Sequence, residues 1–422
     1  MKILYVVPYA PNLIRTRPYS LIRAMTRRGH EVSLVTLWEH EDELPALRRL
    51  EQEGVRVVAF RLSRGRVGFN LVGGLASGKP LQAAYSWHPD LAREVGRRLS
   101  GDGRPDVIHI EHLRGSVYGL KILSLARRMA SSSAIVWDSV DCISMLFERA
   151  ARHSRSRSRR WIARLELPRT RRWEGMLVRK FPRVLASSRE DALALERLAA
   201  SGDGLDSPEV SVLPNGVDLE YFHPNGTARE PDTLVLTGKM SYHANLTAAL
   251  HLIEDIMPRV WAKRPGVKVV LAGKSPPPEV RALSERHAGH VVVTGTVSDL
   301  RPYLWKASVA VVPVVYGAGS QFKVFEAMAS GTPVVASTQA GSALTAHTGH
   351  DWMVAEDPSS FAEAILHLLD DGALRQALSE NGRTYVEKHH DWAAIAASLE
   401  DIYLEDLEKS LPPAAAAPAY RS

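Results

Sequence analysis

The sequence predicts two doubly wound α/β domains, each a parallel sheet with helices on both faces, set opposite one another across a cleft. Three observations lead there. Short runs rich in Val, Ile and Leu alternate with stretches of helical period along almost all of the 422 residues, the pattern of strand–helix–strand units with right-handed crossovers. Several runs are apolar without interruption, as expected of strands covered on both faces. The rhythm also breaks once, between Pro214 and Pro231, and then resumes.

In order along the chain, the first set of strands is expected at residues 2–7, 31–37, 55–60, 106–111, 134–138, 183–188 and 210–213. Among its helices are 18–28, stopped by Gly29, and 191–200. The turn residues Pro214-Asn215-Gly216-Val217-Asp218, then Pro224-Asn225-Gly226 and Glu230-Pro231-Asp232, make the break. The second set of strands is expected at 233–237, 267–272, 291–294, 309–314 and 333–337. Its helices are expected at 245–263, 278–287, 299–305, 321–330, 359–369 and 374–388. Residues 392–407 have an apolar helical period (Ile395, Leu399, Ile402, Tyr403), and such a helix needs a surface to pack on. The expected division is therefore 1–215, 216–391, a helix at 392–410 crossing back to the first domain, and a disordered, Pro/Ala-rich tail at 411–422.

Composition narrows the class. Hydrophobic residues make up 45% and charged residues 24%, which fits a globular chain and excludes a disordered or collagen-like one. A single cysteine, Cys142, excludes an internal disulfide and a four-thiolate zinc site. The apolar run from Met1 to Pro8 reads as a strand rather than a signal peptide, and no run approaches the roughly 20 apolar residues of a spanning helix. The expected location is the cytoplasm, with peripheral contact at the inner membrane face as an option. The net charge is +6, but residues 149–183 hold 13 Lys and Arg against two acids, leaving −5 elsewhere. This patch is either where an anionic partner binds or a solvated helical face.

The segment 317–336 carries the strongest chemical signal. A small-residue turn, Gly317-Ala318-Gly319-Ser320, leads into a helix beginning near Gln321 and ends at Gly331 before another strand. Free backbone N–H groups at a helix start suit phosphate oxygens, so Gly319, Ser320 and Gln321 are candidate contacts. Lys323 can add a full charge against a diphosphate. Glu326, three residues on, shares its helix face and can accept hydrogen bonds from a ribose diol. Together they suggest a nucleoside diphosphate; the alternative is a capped turn with a solvated Lys–Glu pair.

This segment resembles the donor-site signature of retaining family 4 glycosyltransferases, whose two-Rossmann-domain architecture is called GT-B. The resemblance extends to Gly29-His30-Glu31-Val32, Pro214-Asn215-Gly216-Val217-Asp218 and Gly295-Thr296-Val297. It is most specific in Glu326-Ala327-Met328-Ala329 with Gly331-Thr332-Pro333-Val334-Val335. It implies sugar transfer from a nucleoside-diphosphate-sugar with anomeric retention, no separate cofactor and no obligatory metal. Lys323 would hold the diphosphate, Glu326 the ribose, and the backbone around Gly295 and Val297 would lie near the base. The sequence departs from the family at Ala318, where a glutamate is usual, and at Gly238-Lys239 with Ala244-Asn245, where Lys239 stands for a usual Arg and Lys pair. A subgroup of exopolysaccharide-associated sugar transferases resembles the Gly238-Lys239-Met240-Ser241-Tyr242 pattern.

The first domain is expected to supply the acceptor side. Its first loop, Pro8 to Arg17, lacks G-x-G-x-x-G, against a dinucleotide-binding dehydrogenase. Arg15 and Arg17 are placed either to reach donor phosphates or as surface arginines. Family members often have a donor-sugar histidine after the 106–111 strand, and Glu111 and His112 fit its spacing equally well; His109 reads as a core histidine. Asp138 and Asp141 can bind acceptor hydroxyls or cap the next helix. No H-E-x-x-H, G-x-S-x-G or Walker A pattern occurs. The partners expected are a nucleotide-sugar and a saccharide, lipid-linked or small-molecule acceptor, without nucleic acid. The alternatives are a GT-B nucleotide-sugar 2-epimerase and a non-enzymatic binder of RNA or anionic membrane through residues 149–183.

Overall fold

The computed structural model describes residues 1–101, 103–154, 156–200, 209–316, 321–342 and 344–410. The expected contacts Gly319 and Ser320, the substituted Ala318 and the tail 411–422 lie outside them. Among the described residues the chain forms two all-parallel sheets. The first has seven strands in the order β3-β2-β1-β4-β5-β6-β7: β1 Lys2–Val7, β2 Glu31–Trp38, β3 Arg56–Arg61, β4 Val107–Glu111, β5 Ala134–Val140, β6 Arg183–Ala186 and β7 Ser211–Val212. The second has six in the order β10-β9-β8-β11-β12-β13: β8 Glu230–Thr237, β9 Lys268–Ala272, β10 Val291–Val293, β11 Ala307–Val312, β12 Val334–Ala336 and β13 Met353–Val354. The architecture is the two-domain Rossmann-like fold that the alternation predicts.

The helices of the first domain are α1 Thr16–Arg27, α2 Leu44–Gln52, α3 Arg64–Ser77, α4 Leu81–Tyr85, α5 Pro89–Ser100, α6 His112–Arg128, α7 Ile143–His153, α8 Arg157–Lys180 and α9 Arg189–Ala199. Those that follow are α10 His243–Leu250, α11 Met257–Lys263, α12 Pro278–Arg286, α13 Arg301–Lys306, α14 Phe322–Ala329, α15 Pro358–Asp370, α16 Gly372–His389 and α17 Trp392–Ser410. Where one helix was expected at 245–263, a wider π turn, His251–Ile256, separates α10 from α11. Pro258 has no N–H to donate to residue 254, and the ladder loosens just before it.

Apolar side chains fill both sides of each sheet. Tyr5 of β1 pairs with Leu34 and His109 on its two neighbours. Trp392, Ile395, Leu399 and Tyr403 of α17 join Ile3, Tyr5, Leu21 and Ile22 in one buried cluster, so the last helix belongs to the core of the first domain. Each such side chain contributes about 1.5–3 kcal/mol on burial. The chain thus crosses between the domains twice, and the crossings touch. Val217 N–H donates to His390 O (2.8 Å) and His390 Nδ1 lies 2.7 Å from Asn215 O. A Cβ on Gly216 would sit 2.7 Å from the Trp392 ring, which is why glycine stands there.

Candidate active site

In a doubly wound sheet, ligands bind beyond the carboxyl ends of the strands where the strand order reverses. The strand orders put that point between β1 and β4 in the first domain and between β8 and β11 in the second.

The second domain's point is built from three loops and α14. Gly238, after β8, has φ +142°, and a Cβ there would lie 2.8 Å from Asn245 Nδ2 and 3.4 Å from Lys323 Cε. Gly273, after β9, has φ +147°, and its Cβ would lie 1.9 Å from Gly238 O. The two strand ends therefore touch backbone to backbone, which only glycine permits. Asn245 Nδ2 donates to Lys239 O (3.0 Å) and holds the turn; its buried Oδ1 has no partner. Lys239 itself is exposed. Lys323, in the first turn of α14, is only 8% exposed, and its Nζ donates to Gln321 Oε1 at 2.9 Å. Burial pulls Lys323 down to about 8 although Glu326 opposes it, and burial lifts Glu326 to about 7 although Lys323 opposes that. A desolvated cation and carboxylate one helical turn apart favour a ligand with a phosphate for one and hydroxyls for the other. Gly295, with φ +73°, and Val297 follow β10. Their loop is tied to the end of β9, Gly273 N–H donating to Thr294 Oγ1 (3.4 Å) and Ser275 N–H to Thr296 Oγ1 (3.3 Å).

In the first domain His112 opens α6 with φ +63°, a strained conformation for a residue with a side chain. Its Nδ1 accepts the Arg114 N–H at 3.3 Å, so the neutral ring carries its proton on Nε2. Burial, with Arg114 alongside, pushes His112 down to about 3. It is therefore a neutral donor at the sheet edge, its ring edge-on to Tyr9 at 6.0 Å. Glu111 is the more deeply buried of the two. It is 1% exposed, takes the Tyr9 hydroxyl at 3.3 Å and lies 3.6 Å from His109 Nε2.

These two edges oppose each other. Asp42, beyond β2, pairs with Lys274, beyond β9, at 3.1 Å. Ala244 and Tyr316 of the second domain pack with Ala150, Ala151 and Ala163 of α7 and α8. The cleft is bridged on both flanks.

The family model "Glycosyl transferase 4-like domain" matches residues 14–216, and "Glycosyl transferases group 1" matches 231–371. Both halves of the chain thus match glycosyltransferase domain models. It is similar to a phosphatidyl-myo-inositol mannosyltransferase of Mycobacterium tuberculosis, 26% identical over 212 residues, 47% of this chain and 54% of that one. It thus spans about half the length of the curated relatives it matches. The fold is similar to sucrose-phosphate synthase from Thermosynechococcus elongatus, with TM-score 0.67 and 18% identity over 97% of this chain and all of that one. It is also similar to Anabaena HepE in complex with UDP, with TM-score 0.66 and 13% identity over 96% of this chain and all of that one.

In this protein the expected role of Arg17 at the donor phosphates is corrected. Arg17 is 3% exposed; its Nε donates to Asp138 Oδ2 (2.8 Å), and its Nη1 to Pro214 O (3.1 Å) and Asn215 Oδ1 (2.9 Å). A fully buried carboxylate needs a counter-charge, and Arg17 supplies it from the first turn of α1. Burial alone would raise Asp138, but Arg17 and His109 hold it well below the carboxylate range. His109, Glu111 and Asp138 bring ligand atoms within 4.8 Å of one another. With the guanidinium already inside and His109 Nδ1 on the Tyr403 hydroxyl at 2.8 Å, they form a buried ion network in place of a metal seat.

Neither Asp138 nor Asp141 caps α7. Glu174 accepts from Ile143 N–H (2.7 Å) and Ser144 N–H (3.1 Å), and Asp191 from Cys142 N–H (2.8 Å). These caps come from α8 and α9, so no local spacing announces them. Asp141 follows Val140, whose φ is +66°, and accepts the Ser187 hydroxyl at 3.2 Å. Burial, with Asp191 nearby, lifts it to about 8. Arg15 stays on the loop after β1, paired with Glu43 at 3.1 Å.

Proposed function

We propose that this protein transfers a sugar from a nucleoside-diphosphate-sugar to an acceptor hydroxyl with retention of anomeric configuration. The observation that carries this is the buried Lys323 in the first turn of α14, with the half-buried Glu326 one turn on, set at the second domain's reversal point near the loop of Lys239. In this reading the diphosphate lies on Lys323 and Lys239, where developing negative charge is stabilised as the sugar departs. Glu326 accepts the ribose hydroxyls. Across the cleft, the Nε2–H of His112 donates to a hydroxyl of the bound sugar. The bond from the anomeric carbon to the phosphate oxygen breaks as the acceptor oxygen bonds to that carbon. The acceptor's proton passes to the departing diphosphate, and the acceptor enters on the face the leaving group vacates. No obligatory metal takes part, the lysines and helix start carrying the charge instead. One structural neighbour, Anabaena HepE, is a complex with UDP, which is consistent with a donor of this class.

The experiment is a thermal-shift series with UDP, GDP, ADP and dTDP, with and without a chelator. A nucleotide that binds only the folded state raises the melting temperature by mass action. One of the four is expected to do so with chelator present, and Lys323→Ala is expected to abolish the shift. The reading fails if none of the nucleotides stabilises the protein, or if the variant responds like the wild type.

A further inference from the structure

Among the described residues no helix is long and apolar enough to cross a membrane. Yet α3 is built inside out. Its apolar residues Phe69, Val72 and Leu75, three apart and so along one face, are 72%, 68% and 52% exposed. The residues it buries are Asn70 and Gly74. Asn70 Nδ2 donates to Tyr85 O (2.9 Å) and Trp87 O (2.8 Å), and Gly74 lies so close to Ala84 that a Cβ would come within 2.7 Å of the Ala84 methyl. Asn70 and Gly74 seat the helix, with Val67 packed against the core at its start, while the stripe Phe69, Val72 and Leu75 faces outward. The first turns of α8 repeat the arrangement, with Trp161 64%, Ile162 48% and Leu165 49% exposed.

The two helices are linked through α4. Glu166, next to Leu165, accepts the N–H of Leu81 at the start of α4 (2.7 Å), and α4 supplies Ala84 beneath α3. Cations surround both. From Arg61 to Lys79 there are four (Arg61, Arg64, Arg66, Lys79) and no acid. In the first turns of α8, no described carboxylate pairs with Arg157, Arg159, Arg160 or Arg164. Elsewhere among the described residues of the 149–183 patch, Arg149 pairs with Glu190, Arg152 and Arg171 with Glu148, Arg169 with Glu166, and Arg183 with Asp406, while Arg172, Arg179 and Lys180 meet no described carboxylate. Four of these seven cations without a described carboxylate partner thus stand where the apolar side chains protrude. A cavity of about 570 Å³, lined by His40, Arg61, Arg64 and Tyr85 among others, opens at the start of α3. It lies two residues from Asp42, whose bridge to Lys274 marks one flank of the cleft.

We propose that α3 and the first turns of α8 form one docking face for an anionic lipid bilayer. Apolar side chains entering the interfacial region, ringed by unpaired arginines, are what such a surface binds. This face would set the cleft mouth near α3 against the membrane. On the sugar-transfer reading above, on which this clause alone rests, the acceptor is then carried by a lipid.

The test is co-sedimentation of the full chain with vesicles of phosphatidylcholine, alone or with about a third phosphatidylglycerol. The wild type is expected to bind the anionic vesicles at low ionic strength, to release them as salt rises and to ignore the neutral ones. Phe69→Ser, Val72→Ser and Leu75→Ser together should weaken binding about tenfold or more and leave its salt dependence in place. Arg157→Gln, Arg159→Gln, Arg160→Gln and Arg164→Gln together should weaken it similarly and flatten that dependence. All seven side chains point away from the core, so both variants should keep the wild-type melting temperature. The proposal is overturned if the wild type binds no anionic vesicle at low salt or if both variants bind like the wild type. It is equally overturned if the α3 variant dissociates a wild-type dimer, which would give the stripe to a second copy. None of these results depends on nucleotide binding, so failure here and failure of the transferase reading are separable.

Discussion

Replacing Arg17 with Ala separates a donor-binding role from a structural one. The substitution removes the counter-charge 2.8 Å from Asp138, a carboxylate with no exposed surface, and two further hydrogen bonds that tie α1 to Pro214 and Asn215. Breaking a buried pair by deleting one partner costs about 3–5 kcal/mol, because the remaining charge stays desolvated. For a domain of roughly 200 residues that corresponds to a melting temperature lower by about 6–20 °C. The sign with pH follows from Asp138, whose carboxyl Arg17 helps hold below its ordinary range. A depressed carboxyl stabilises the fold above its unfolded pKa of about 3.9, and that contribution fades as pH falls. The gap between wild type and variant should therefore be widest near neutrality and narrow below about pH 4. Scanning calorimetry across that range measures it, with nucleotide titration as the parallel readout. A loss below about 1 kcal/mol together with abolished nucleotide binding would refute the reasoning and return Arg17 to the donor phosphates. Arg17→Met combined with Asp138→Leu should recover much of the loss, since an apolar pair of similar volume leaves no stranded charge.

Nucleoside diphosphate affinity should be bell-shaped in pH, rising as Glu326 ionises near 7 and falling as Lys323 loses its proton above about 8. Glu326→Gln should remove the acid limb, and a flat calorimetric profile in the wild type between about pH 6 and 9 would contradict the pairing. Gly273→Ala puts a methyl within 1.9 Å of Gly238 O at φ +147°. It should destabilise the second domain by about 1–3 kcal/mol from backbone strain alone and weaken nucleotide binding by prising the β8 and β9 ends apart. Unchanged affinity would show that those ends do not shape the site.

Strands buried on both faces announce themselves by composition within five or six residues, so the two parallel sheets were legible before any contact was known. The helix and strand within 321–336 were legible for the same reason, since they are neighbours in the chain. Short elements were not: β13 is two residues long and is made by its pairing with β12.

By itself the sequence determined that there are two doubly wound domains and which helix carries a lysine and a glutamate one turn apart. Tertiary structure decided what each charged side chain faces. Glu111 and His112 are adjacent and equally plausible by spacing, and a φ of +63° at His112 puts one ring at the sheet edge and leaves the other side chain in the core. Arg17 meets a carboxylate 121 residues away, His109 a hydroxyl 294 residues away, and α7 takes its caps from α8 and α9. The apolar stripe of α3 likewise becomes an outward face because Asn70 and Gly74, rather than Phe69 and Val72, seat the helix. Periodicity is a local property of the chain, whereas the partner of a buried charge is chosen by whichever distant element the packing brings within hydrogen-bond reach.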